Sequence, residues 1–163
     1  MADRAKAIYA ANGVTDPAAV GKTLSRDRGM AFTHAWAKKR AGVSKNPIYV
    51  YQFNHDMPGP KSARYGAFHT AEVPYVFQNL IGKDRVYTAD DRKVAATVSG
   101  YWLNFIKTGN PNGAGLPNWP AYSTTAYPVA RLDTTVTVTP VLPPAKLSLY
   151  EDFVGGNGQL SSR

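Results

Sequence analysis

The chain contains no cysteine among its 163 residues. Disulfides, a thiolate nucleophile and cysteine-based metal sites are therefore excluded. Long apolar runs are also missing: none approaches the roughly 20 residues that span a bilayer. No apolar signal core follows the opening Met-Ala-Asp-Arg, and nothing fixes a cellular compartment. No internal repeat and no linker-like shift in composition occurs. Residues 1–154 therefore read as one structured segment, and the Gly- and Ser-rich 155–163 as a disordered tail. Acidic residues are scarce, 11 Asp and Glu against 19 Lys and Arg, which leaves a net charge of +8.

That excess is uneven. Residues 1–64 hold 11 basic and 4 acidic side chains, 65–109 hold 5 and 4, and 110–163 hold 3 and 3. The densest run is Lys38-Lys-Arg40. Such a run can bind nucleic acid or an anionic surface. It also suits the last turn of a helix, where cations complement the macrodipole and Gly42 supplies a stop. Aromatic residues are not interleaved with the basic ones, so nucleic acid is not expected as a partner. An apolar fraction of 44% argues against disorder and for a globular chain.

Periodicity predicts an N-terminal helical section. Arg4 to Ala11 reads as a helix stopped by Asn12-Gly13. Thr15 or Asp16 caps the next, with Pro17 allowed at its first position, and it runs to about Leu24. Ser25 then opens a longer helix to Ala41, with Phe32, Ala35 and Trp36 on one side. His34 on this helix reads as structural or exposed. Ile48 to Phe53 is the best strand, largely apolar on both faces, as inside a helix-covered sheet. Only two further strand candidates appear, near Val129–Asp133 and Val136–Thr139, and they resemble a hairpin or two edge strands. A buried strand with so few neighbours implies that the chain is part of a larger sheet. The strongest helix is Thr88 to Thr108. Thr88 and Asp91 match a capping box, Val94, Val98, Tyr101, Trp102, Phe105 and Ile106 share one face, and Gly109 and Pro111 stop it. Asn110 to Pro120 is a loop whose Trp119 is expected to bury against the C-terminal helix. Pro143-Pro144 opens a last helix, Ala145 to Phe153.

Between the best strand and the strongest helix lies Tyr65-Gly-Ala-Phe-His-Thr-Ala-Glu-Val-Pro-Tyr-Val-Phe77, which places His69 in a Gly-led loop ahead of a short apolar turn. Imidazole titrates near neutral pH and suits a general base. His55 and Asp56 open the loop from Asn54 to Arg64; with no third ligand nearby they read as turn residues, not a metal site. No Gly-x-Ser-x-Gly occurs: Ser25, Ser44, Ser62, Ser99, Ser123 and Ser148 all lack that elbow. Ser62 precedes His69 by seven residues, but nothing marks it as activated. Glu72, three residues after His69, is poorly placed to meet the outward ring nitrogen, and reads as a helix-start residue. Val73 to Phe77 read as core packing, or as one or two residues lining a pocket beside the base.

Four stretches carry a family resemblance. They are Tyr49-Val-Tyr-Gln-Phe53, Gly66-Ala-Phe-His69-Thr-Ala-Glu72-Val-Pro-Tyr-Val-Phe77, Tyr101-Trp-Leu-Asn-Phe105 with Thr108-Gly-Asn-Pro-Asn112, and Trp119-Pro-Ala-Tyr122. In this order they resemble the C-terminal third of type B carboxylesterases, the family that includes the cholinesterases, over about Ala5 to Asp152. The resemblance implies an α/β class: the C-terminal part of an α/β-hydrolase fold, an incomplete sheet with flanking helices. It implies that His69 matches the general base of a Ser–Glu–His triad. The nucleophile elbow, oxyanion loop and acid of that family lie before the matching region. The implied reaction is carboxylic ester hydrolysis through an acyl-serine. Its partners are a small-molecule ester and the missing N-terminal part of the same fold, with no cofactor or metal. A non-catalytic cholinesterase-like binding module or inactive truncated product, and an anion- or nucleic-acid-binding protein driven by the basic N-terminal part, are the other readings.

Overall fold

The computed structural model describes residues 2–156 and 158, without the side chains of Pro17 and Ala18. Nine elements follow in order among them. They are α1 (Ala2–Ala11), α2 (Pro17–Val43), β1 (Tyr51–Phe53), α3 (Ser62–Tyr65), α4 (Val73–Val76), α5 (Ala89–Thr108), β2 (Pro128–Leu132), β3 (Thr137–Pro140) and α6 (Pro144–Gly155). The chain divides into two compact units. One comprises Met1–Ser44, Ser123–Tyr127 and Pro140–Arg163, the other Lys45–Tyr122 and Pro128–Thr139.

The first unit gathers α1, α2 and α6. Asp16 caps α2 by accepting the Ala19 N–H at 2.8 Å, with Pro17 at the first position. The helix then runs unbroken to Val43, so the expected break before Ser25 does not occur. A serine caps a helix only where the preceding backbone leaves helical geometry, and mid-helix it is merely a modest helix former. Gly42 does not stop the helix either; Ser44 closes it, in extended conformation. Ala31, His34 and Ala37 are buried while Phe32 and Trp36, which do share a side, are more than half exposed. The anchor of this unit is polar. Asp27, 1% exposed, accepts from Lys146 Nζ at 2.9 Å and from the Tyr9 hydroxyl at 3.0 Å, and Tyr150 lies 2.9 Å from that hydroxyl. A carboxylate so buried needs these partners, because an unpaired charge there would be expensive. His34 stacks edge-on against Tyr127, with Nε2 3.5 Å from Glu151, which also takes Lys38 at 3.0 Å. The cation run thus begins with an ion pair near the end of α2.

The second unit holds the sheet, in the order β1-β2-β3. β1 and β2 are parallel, with Tyr51 opposite Ala130 and Phe53 opposite Leu132. β2 is the buried central strand, and β1, expected to be central, stands at an edge among the described residues. The regular part of β1 is also shorter than the expected Ile48–Phe53, although Val50 and Ile48 carbonyls still accept from Trp119 Nε1 at 3.2 Å and Tyr122 N at 2.7 Å. α5 matches its local signals closely. Thr88 and Asp91 form the capping box, and Gly109 ends the helix at φ 74°. Val94, Val98 and Tyr101 are buried, but Ile106 is 76% exposed. Trp119 is buried against Tyr101, Trp102, Tyr49 and Tyr51. At the C-terminus α6 runs to Gly155, two residues past the expected Phe153. Of the expected disordered tail, 157 and 159–163 lie outside the described residues.

Candidate active site

The His69 loop leaves β1 and returns to α4 through one pinned turn. Gly66 follows α3 with φ 53°, and a Cβ there would stand 2.8 Å from Asp56 Oδ1. Both the backbone angle and the space demand glycine. Thr70 also takes a positive φ, 72°, directly after the histidine, and its hydroxyl donates to the His69 carbonyl. Consecutive bonds from Ala71 N to Phe68 O and from Val73 N to Thr70 O wind the chain into α4. Tyr75 on α4 is fully buried and Ala71 beside it is 0% exposed, so the turn is fixed from beneath.

His69 itself is exposed. Among the described residues its imidazole makes no ion pair. Glu72 stands at the N-cap of α4 without a side-chain cap bond, and its carboxylate bears on the Tyr51 hydroxyl, raising that group after burial has done so. An exposed imidazole with neither nucleophile nor acid beside it has the reach of a base but needs both partners from elsewhere. Val73, Val76 and Phe77 line a groove of about 300 Å³ with Trp102, Leu103 and Ile106 of α5. A cavity of about 590 Å³ on the loop's earlier part is lined by Met57, Ser62, Gly66 and Phe68, with Lys83 and Arg85 opposite.

The sequence reading missed a second histidine site. His55 is not a simple turn residue. Its Nδ1 lies 3.0 Å from Asp133 and its Nε2 2.9 Å from Asp91. Asp91 also accepts from the Tyr75 hydroxyl at 2.6 Å, and from the Thr88 N–H and hydroxyl at 2.7 Å each. Burial pulls the His55 ring down, but the hydrogen bonds to Asp91 and Asp133 outweigh it and its pKa is raised. For Asp91, burial pushes up, while bonds from Tyr75, Thr88 and His55 outweigh it and hold the carboxyl at about 2. The two shifts agree in direction: the two carboxylates favour the charged form of the ring. With both ring nitrogens occupied, His55 has no free lone pair with which to act as a base. The network ties the ends of β1 and β2 to α4 and to the start of α5. No group of three or more His, Asp or Glu side chains among the described residues is arranged for a metal ion. No local signal pointed to it: the parallel register that sets Phe53 opposite Leu132, and so His55 and Asp133 at the same carboxyl end, exists only in the folded sheet.

A three-stranded partial sheet, parallel at β1–β2 and flanked by helices, is part of an α/β-hydrolase fold. A solved structure of a thermophilic PNB esterase is similar at TM-score 0.54 and 31% identity, over 64% of this chain and 22% of that one. The chain belongs to the carboxylesterase family, whose family model matches residues 22–149. Human cocaine esterase is 36% identical over 83 residues, 48% of this chain and 15% of that protein. Para-nitrobenzyl esterase of Bacillus subtilis (strain 168) is 35% identical over 97 residues, 56% of this chain and 19% of that protein. The chain thus spans about a fifth or less of these curated relatives.

Proposed function

We propose that this chain is the base-bearing C-terminal segment of a serine carboxylic ester hydrolase, with His69 as the general base. In that reaction a serine supplied by the preceding part of the fold attacks the ester carbonyl. His69 takes the serine proton and passes it to the leaving alcohol, and water repeats the sequence on the acyl-serine. The acid that orients His69 and the oxyanion donors come from the same preceding part. The observation that carries the reading is the state of the three histidines. His34 is buried and His55 is clamped on both nitrogens, whereas His69 is exposed on a turn held by Gly66 and Tyr75. Supplying the preceding part of a carboxylesterase, by fusion, is expected to yield hydrolysis of a small activated ester. His69→Ala should then lower kcat by about three to six orders of magnitude, since a triad acts as a unit. A fusion whose rate survives His69→Ala would refute the assignment.

A further inference from the structure

The cavity of about 590 Å³ ahead of His69 has a basic wall that the ester reaction above does not use. Lys61, Lys83 and Arg85 line it with a single acid, Asp84. No ion pair among the described residues involves any of the three cations. Arg85 is held by its stem between two loops. A Cβ at Gly82 would stand 3.1 Å from Arg85 Cβ and 3.3 Å from its Cδ, and one at Gly59 would stand 3.3 Å from its Cγ. Gly59 has φ 131° and sits between Pro58 and Pro60, whose rings fix their own φ angles, so that wall is stiff. A guanidinium on a confined stem loses little further freedom when it takes a ligand. Beside the cations the cavity is apolar: Met57 is buried there, and Tyr65 and Phe68 are 50% and 39% exposed.

We propose that this cavity binds the ionised carboxylate of an ester substrate, and so selects esters that carry a second, anionic end, such as monoesters of dicarboxylic acids. The proposal rests on the function reading above and names its substrate class. Arg85 offers the planar fork that a carboxylate meets with two parallel hydrogen bonds, and Lys61 and Lys83 add charge. The aliphatic chain of such a monoester suits the apolar side chains of Met57 and Phe68. Phe68 lines the cavity and immediately precedes His69, with consecutive Cα atoms about 3.8 Å apart, so the anion site and the base belong to one turn.

The first arm of the test uses the full 163-residue chain and no reaction. Monoethyl adipate is titrated into it by NMR, with diethyl adipate as the uncharged match. Expected are saturable shifts at Gly59, Phe68 and Arg85 with the anionic ester, and binding weaker by about tenfold or more with the neutral one. Arg85→Gln should weaken the anionic ester by about tenfold as well. Lys107→Gln removes the same charge from an exposed position outside the cavity lining, and should bind as the parent does. The second arm uses the fusion described above. There Arg85→Gln should lower the ratio of kcat/KM for the anionic over the neutral ester by about tenfold, and Lys107→Gln should leave that ratio unchanged. No saturable binding, equal binding of the two esters, equal losses in the two variants, or a ratio indifferent to Arg85 would each overturn the proposal. A fusion that hydrolyses neither ester overturns the function reading and with it the substrate role, while the first arm still decides the anion site.

Discussion

His55 lies between two carboxylates, while His34 is buried with its ring edge-on to Tyr127. Their pKa values move in opposite directions. That of His55 is raised, so its contribution to stability is complete below about pH 6.5 and is lost as pH rises through its folded value. Burial lowers that of His34 more than Glu151 raises it, so the unfolded chain takes up that proton first and stability falls as pH drops below about 6.5. Asp91 contributes above its ordinary range, and loses its contribution as pH falls towards about 2. His55→Gln is therefore expected to flatten the decline in Tm above pH 6.5, and His34→Gln the decline below it. Thermal melts of both variants from pH 5 to 8 check this. A His55→Gln chain with the parent's alkaline slope would break the assignment. Neither buried network was legible from single residues. Asp91 was visible as a capping acid, but nothing local shows that one carboxylate serves a cap, a tyrosine and a histidine 36 positions away.

Among the elements, α5 and α2 show why local signals succeed and fail. In α5 every signal coincides: the capping box, an apolar face, Lys107 in the last turn and Gly109 beyond it. In α2 the signal at Ser25 conflicts with the continuous helix. Thr88→Ala should cost about 1 kcal/mol or more, because it removes a cap and also a donor to Asp91. Ser25→Ala should change stability by less than about 0.5 kcal/mol, or improve it, because an exposed mid-helix serine has no cap to lose. Denaturant unfolding of the two variants separates them; a Ser25→Ala loss as large as that of Thr88→Ala would mean that Ser25 does begin a helix. The strands follow the same logic. β2 and β3 fall close to the expected 129–133 and 136–139, yet their order in the sheet, and the edge position of β1, depend on partners far away in sequence.

For the whole molecule, the proposed function takes its serine and its acid from a preceding part of the fold. No Gly-x-Ser-x-Gly occurs in the 163 residues. The chain alone is expected to hydrolyse a small activated ester no faster than free imidazole does. A stopped-flow burst followed by saturable turnover, lost in His69→Ala, would reveal a nucleophile within it. The sequence by itself determined α5 with its caps and, through the resemblance carried by four motifs, the carboxylesterase family and the α/β fold class. The helix rests on signals a few residues long, which local sterics and hydrogen bonding write directly into the chain, and the family rests on the order of the four motifs. The tertiary structure alone decided that α2 is one helix and that β1 is an edge. It also decided that His55 is locked between Asp91 and Asp133, and that Phe77, Leu103 and Ile106 face outward together. Those features join residues dozens of positions apart, and their energies exist only once distant elements have packed.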